Sequence, residues 1–225
     1  MKKILFILLI GVFLLGCKND KNTSEAKEIL PQKTQTTAEA IAYKNGYEHW
    51  AKLSEIKFTF NVDRGERHFE RSWIWNPKQQ DVTMITSSDT VSYNQARLDS
   101  ITKKADASFI NDSYWLLAPF HLVWDTGTTF TNPKKAVAPI SKDTLNQMTI
   151  LYGSEGGYTP GDAYDLFFTE DYTLEEWIFR EANDSLPSLI TTWQDYRDFN
   201  GIKIATMHRD STDTFRLYFT NISVK

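Results

Sequence analysis

Residues 189–224 read LITTWQDYRDFNGIKIATMHRDSTDTFRLYFTNISV, and this stretch decides the fold class. Asn200 and Gly201 both tolerate the positive φ that a two-residue type I′ hairpin turn requires. After the turn, Ile202 and Ile204 alternate with Lys203. Further on, Phe215, Leu217 and Phe219 alternate with Arg216 and Tyr218. That period of two is the signature of half-buried strands, here over 189–198, 201–209 and 214–224. Parallel neighbours would need a crossover of a dozen or more residues, usually a helix, and no helical pattern separates these strands. The C-terminal third is therefore antiparallel sheet.

Working toward the N-terminus, segments 174–180, 163–169 and 145–152 have the same strand character. Trp177 and Phe179 flank Ile178, so one of these strands is apolar on both faces. Residues 126–139 read as a long loop with two prolines and four threonines. Before it the period becomes helical. Leu98, Ile101, Ala105 and Phe109 share a face, and Asn111 or Asp112 can start a short second piece that Pro119 ends. Earlier still, Ile56, Phe58, Phe60 and Val62 oppose Lys57, Thr59 and Asn61. Past a turn at Asp63-Arg64-Gly65, Phe69, Arg71, Trp73 and Trp75 continue the alternation, and two further strands follow at 80–86 and 89–93. A first helix is expected over Thr37–Leu53, with Thr37 as its cap and Gly46 as a weak point. These elements predict an α+β domain spanning 37–225. Its core would be a curved antiparallel sheet, or open half-barrel, of about ten strands, with two or three helices covering the concave face. The Ser113–Phe120 segment is expected on that concave side.

The first residues address a different matter. MKKILFILLIGVFLLGC places Lys2 and Lys3 before a short apolar run that suits a signal peptide over residues 1–16. Leu14-Leu15-Gly16-Cys17 resembles the lipobox of bacterial lipoproteins, which implies cleavage after Gly16 and acylation of Cys17. Cys17 is the sole cysteine, so the domain holds no disulfide and no thiolate ligand. Residues 17–36 are almost entirely polar and read as a tether. Lys18 follows the cysteine where inner-membrane retention would call for aspartate, so the expected location is the cell envelope, at the outer membrane facing the periplasm, with exposure on the cell surface as the alternative.

Composition excludes several functions. Apolar residues are 41% and charged residues 24% of the chain, which is globular, and the net charge of −4 lacks the basic footprint of a nucleic-acid binder. Gly153-Ser154-Glu155-Gly156 fails the spacing of a nucleophile elbow. His49, His68, His121 and His208 stand apart, with no zinc-binding spacing. Asp162, Asp165, Glu170 and Asp171 could surround calcium, but a glycine-proline turn leading into a strand, with Asp165 facing solvent, accounts for them better. We therefore expect no catalytic residue, no metal and no cofactor. The rival readings are a lipoprotein hydrolase using acids around Asp162 and Asp165, and a structural or interaction module of an envelope complex.

The positive signal is the aromatic content of 14 Phe, 10 Tyr and 7 Trp. A concave sheet so lined, with few helices to cover it, leaves a cavity for an apolar ligand. The expected wall is Phe58, Phe60, Trp73, Trp75, Trp115, Leu116, Phe168 and Trp177.

Several motifs, in order, resemble a widespread family of uncharacterised bacterial lipoproteins: Gly46-Tyr47-Glu48-His49-Trp50, Phe58-Thr59-Phe60, Trp73-Ile74-Trp75, Asn111 to Phe120, Thr159 to Tyr164 and Asp198-Phe199-Asn200-Gly201. That family is similar in fold to the outer-membrane lipoprotein carriers (LolA-like) and to mycobacterial lipid-carrier lipoproteins. The resemblance implies a half-barrel whose cavity holds acyl chains, and it implies no catalytic residues. The soluble carriers lack an anchor, whereas this chain carries a lipobox, so receiving, presenting or sensing lipid fits it as well as carrying.

Overall fold

A computed structural model describes residues 35–155 and 159–225. The signal peptide, Cys17, nearly all of the tether and the Gly156–Tyr158 part of the glycine-rich segment lie outside these residues. Among the described residues thirteen strands form, somewhat more than the sequence pattern suggests, and every pairing between them is antiparallel.

The first sheet has seven strands. It joins β1 (Ile56–Arg64), β2 (Arg67–Asn76), β3 (Asp81–Ile85) and β4 (Thr90–Asn94) to the C-terminal β11 (Gln194–Phe199), β12 (Ile202–Arg209) and β13 (Phe215–Val224), in the order β11-β12-β13-β1-β2-β3-β4. Asn200 and Gly201 take φ of 56° and 89° between β11 and β12, as the hairpin reading requires. The second sheet runs β10 (Leu189–Thr192), β9 (Leu174–Arg180), β8 (Ala163–Phe168), β7 (Thr144–Tyr152) and β5 (Thr128–Phe130). A further short strand, β6 (Lys134–Val137), also pairs with β7. The expected loop at 126–139 thus contributes two edge strands, whose partner lies downstream and is invisible to local pattern.

One run of chain belongs to both sheets. It leaves the second as β10, turns at the buried Trp193 and enters the first as β11. Trp193 N–H still donates to Glu175 of the second sheet, while Arg209 N–H of the first donates to Thr192 Oγ1. No ladder joins β4 to β5, so among the described residues the barrel stays open on that side.

Two helices fill the space between the sheets. The first, α1 (Thr37–Lys44), starts on a reciprocal cap in which Glu39 N–H donates to Thr36 Oγ1 and Thr36 N–H to Glu39. The expected Thr37–Leu53 helix divides at Gly46, which adopts φ 87°, and resumes as a 3₁₀ turn over Tyr47–Lys52. The second, α2 (Thr102–Trp124), is longer than expected. Pro119 bends it rather than ending it, and Leu117 departs from helical geometry at φ −130°, ψ 26°. Its two faces serve two cores. Ala105, Phe109, Leu116 and Phe120 pack with Phe58, Trp73 and Ile204 of the first sheet. Tyr114, Ala118 and Leu122 pack with Ile150, Leu166 and Trp177 of the second. A helix that is apolar on opposite sides is what a segment between two sheets must be.

Candidate functional site

Along β1 the inward face carries Ile56, Phe58, Phe60, Val62 and Arg64, and its exposure rises in that order. Ile56 and Phe58 are sealed in the core, Val62 is half-buried and Arg64 is exposed. The alternation of β1 therefore runs from the depth of the molecule to an opening. Across the ladder the partners of Phe58, Phe60, Val62 and Arg64 are Trp73, Arg71, Phe69 and Arg67. On the other side Phe60, Val62 and Arg64 meet Phe219, Leu217 and Phe215.

At this open end lies a cleft of about 360 Å³ between the two sheets. Phe60, Val62, Phe215 and Leu217 of the first sheet form one wall, and Tyr164, Trp177, Phe179 and Leu189 of the second form the other. Asn111, Tyr114 and Trp115 of α2 form the floor, and Arg64 and Thr159 stand at the edge. The volume falls at the small end of ligand pockets, roughly 300–1,000 Å³.

The eight wall residues expected from sequence divide. Phe60, Trp115 and Trp177 line the cleft. Phe58, Trp73 and Leu116 sit in the first core, with Trp75 packed at its edge against Phe109 and Trp50. Phe168 belongs to the second core. Alternation identified the inward face of β1 correctly, but could not say how far along it the core ends and the opening begins. The lining residues the sequence reading omitted include Val62, Phe179, Phe215 and Leu217. Val62, Phe215 and Leu217 were legible as apolar members of alternating strands, whereas Phe179 lies on a strand apolar on both faces, where alternation assigns no side.

The polar groups under the cleft are mostly spent on structure. Asp112 has no exposure and accepts from Arg71 Nε at 2.5 Å, from Arg71 Nη2 at 2.7 Å and from Trp73 Nε1 at 2.8 Å. Burial pushes its acid upward, while Arg71, Asn111 and Trp73 pull it back. Arg71 itself stacks over Phe60, Phe69 and Trp73. Tyr114 and Tyr152 join hydroxyls at 3.0 Å, Tyr152 donates to Asp125, and Asp125 also meets His121 Nδ1 at 2.9 Å. Burial holds both phenols well above their usual range, so they remain neutral donors.

Behind Trp115, His208 is fully buried and packed against Trp115, Trp193 and Phe219. Its Nδ1 lies 3.1 Å from the carbonyl of Thr192, which can only accept, so Nδ1 carries the proton. Desolvation depresses its pKa to about 3, and the ring is neutral.

The acids considered for calcium do not converge. Asp165 is buried, contrary to the expectation that it faces solvent, because Arg180 and Thr149 Oγ1 bind it. Asp171 holds Lys44, Glu170 pairs with Lys135, and Asp162 accepts from the Ala182 amide. Among the described residues, no three His, Cys, Asp or Glu side chains gather as a metal site would require.

No protein-family model matches this sequence, and no curated protein does. Some solved structures are similar to this chain, at 8% identity and a TM-score of 0.43. One is a DUF1329 family protein from Desulfovibrio piger, where the match covers 83% of this chain and 91% of that one. Another is a LolA superfamily protein from Nitrosomonas europaea, with 84% and 94% covered. A third is an outer membrane lipoprotein-sorting protein domain from Vibrio parahaemolyticus, with 84% and 93% covered.

Proposed function

We propose that this protein takes a lipid or acyl chain into the cleft between its two sheets, and does so as a membrane-anchored envelope lipoprotein that carries, presents or senses that lipid. The observation behind this reading is the cleft itself. Aromatic and aliphatic side chains from both sheets face each other across it without filling it, while both cores beneath it are closely packed. Burying an acyl chain there gains roughly 0.8 kcal/mol per methylene. Ten methylenes would supply on the order of 8 kcal/mol before association costs.

A hydrolase draws little support. Asp162 and Asp165, the acids it would use, are engaged by the Ala182 amide and by Arg180 with Thr149. The anchoring part of the proposal rests on Leu14-Leu15-Gly16-Cys17.

Two measurements test the proposal. Mass spectrometry of the N-terminus of membrane-purified protein should find Cys17 acylated and first in the chain; an unacylated mature start elsewhere removes the anchor. A Cys17→Ser chain, which carries no acyl groups of its own, should retain lipid in native mass spectrometry and release it on organic extraction. If no lipid co-purifies and a fluorescent fatty acid fails to bind the folded protein, the interaction-module reading replaces this one.

A further inference from the structure

The opening of the cleft carries uncompensated positive charge. Arg64 and Arg67 are direct partners across the β1–β2 ladder, at the residues flanking the Gly65-Glu66 turn. Like charges placed directly opposite one another are destabilising. Alternation puts both on the inward face, in line with Val62 and Phe69. Arg64 lines the cleft, and its Cζ stands 5.2 Å from the centre of the Phe215 ring.

The nearby acids lie elsewhere. Asp63 alternates to the outer face, where His68 Nδ1 meets it at 2.7 Å. Glu70 shares that face and the same imidazole, through Nε2. Among the described residues, neither the Arg64 nor the Arg67 guanidinium has a carboxylate partner, and Glu66 at the turn pairs with neither. The remaining arginine of this face, Arg71, is fully committed to Asp112. Two guanidinium groups without a carboxylate partner thus sit side by side, Arg64 on the lip of the apolar cleft and Arg67 across the ladder from it, on a chain whose net charge is −4.

From this juxtaposition we infer that the occupant is an anionic amphiphile. Its acyl chain enters between the sheets, and its carboxylate or phosphate is held at the mouth by Arg64 and Arg67. The inference rests on the acyl-binding reading above and adds the chemistry of the headgroup. Guanidinium groups bind both anions through paired N–H donors, which is why either headgroup class fits. A bound anion also relieves the cross-strand repulsion, so ligand and hairpin stabilise one another.

The test compares three probes of equal chain length on the Cys17→Ser chain: a fatty acid, an alkyl phosphate and the fatty alcohol. The expected result is that at least one anionic probe binds about tenfold tighter than the alcohol, a margin that shrinks at high salt because the arginines are exposed. Which anion prevails identifies the source, a free fatty acid or a phospholipid-type headgroup. In the Arg64→Gln/Arg67→Gln double variant the margin of the anionic probes over the alcohol should vanish. That variant should melt no lower than the parent, since it removes a repulsive pair. Equal binding of acid, phosphate and alcohol by the parent overturns the headgroup inference and leaves the cleft reading standing. If the folded protein binds none of the three, both readings fall.

Discussion

Arg71 and Asp112 form the kind of pair whose members cannot be removed singly at low cost. Arg71→Leu leaves a carboxylate with no exposure and only neutral donors, and should cost about 3–5 kcal/mol. Chemical denaturation checks this. The double variant Arg71→Leu/Asp112→Leu should recover much of the loss, because neither charge then lacks its partner. His208 gives a second residue-scale prediction. Its folded pKa of about 3 lies below its ordinary 6.5, so between these values the unfolded chain binds more protons than the folded one. Its contribution to stability is therefore greatest above pH 6.5 and falls as acid is added, by up to about 3 kcal/mol at about pH 4.5. A His208→Phe variant should show a flatter stability profile between neutral pH and about pH 4.5. An unchanged slope would place the acid sensitivity elsewhere. Neither role was visible in sequence. Arg71 reads as one member of an alternating strand, and a lone histidine beside Met207 carries no sign of being sealed between two tryptophans and a phenylalanine.

Elements in this chain were legible wherever their cause is local. Asn200-Gly201 announces its hairpin because the turn depends on two backbone conformations, and both are positive in φ. Pro119 misleads for the opposite reason. A proline ends an isolated helix, but here the two sheets pack against α2 on both sides and carry it past the bend. The short β5 and β6 escaped because their partner, β7, comes later in the chain. Gly46 was legible as a weak point, but the reason for it is tertiary. A β-carbon there would overlap the carbonyl oxygen of Gly201, where the 3₁₀ turn rests on the β11–β12 hairpin, and Lys203 N–H donates to Asn45 O beside it. Gly65 offers the control. It also has positive φ, 58°, yet a β-carbon there meets nothing within 4 Å. Gly65→Ala should therefore cost only the conformational penalty, about 1–2 kcal/mol. Gly46→Ala should add displacement of backbone to that penalty and cost about 3 kcal/mol or more. Thermal melts of the two variants, side by side, separate conformation from contact.

At the scale of the whole molecule, what the strand pattern could not supply is the division of one curved surface into two sheets at Trp193. That division decides which apolar residues meet across packed core and which face each other across space. Strand alternation sorts side chains into inward and outward sets, but the gap depends on the separation of the sheets, which α2 sets by wedging between them. Phe109, Leu116 and Phe120 on one side of the wedge back onto Tyr114, Ala118 and Leu122 on the other, and Asn111, Tyr114 and Trp115 of the same helix border the cleft. Val62 faces that open volume while half-buried, so a larger side chain there has room to enter the cleft rather than strain a core. Val62→Trp should melt within a few degrees of the parent and bind acyl probes at least about tenfold more weakly, since an indole takes the place of several methylenes. Trp115 and Trp177 line the same volume and report on it directly. Ligand entry into the parent should shift their emission, and the shift should be absent in the filled variant. If the variant binds acyl chains as well as the parent does, the ligand lies outside this cleft, however apolar its walls.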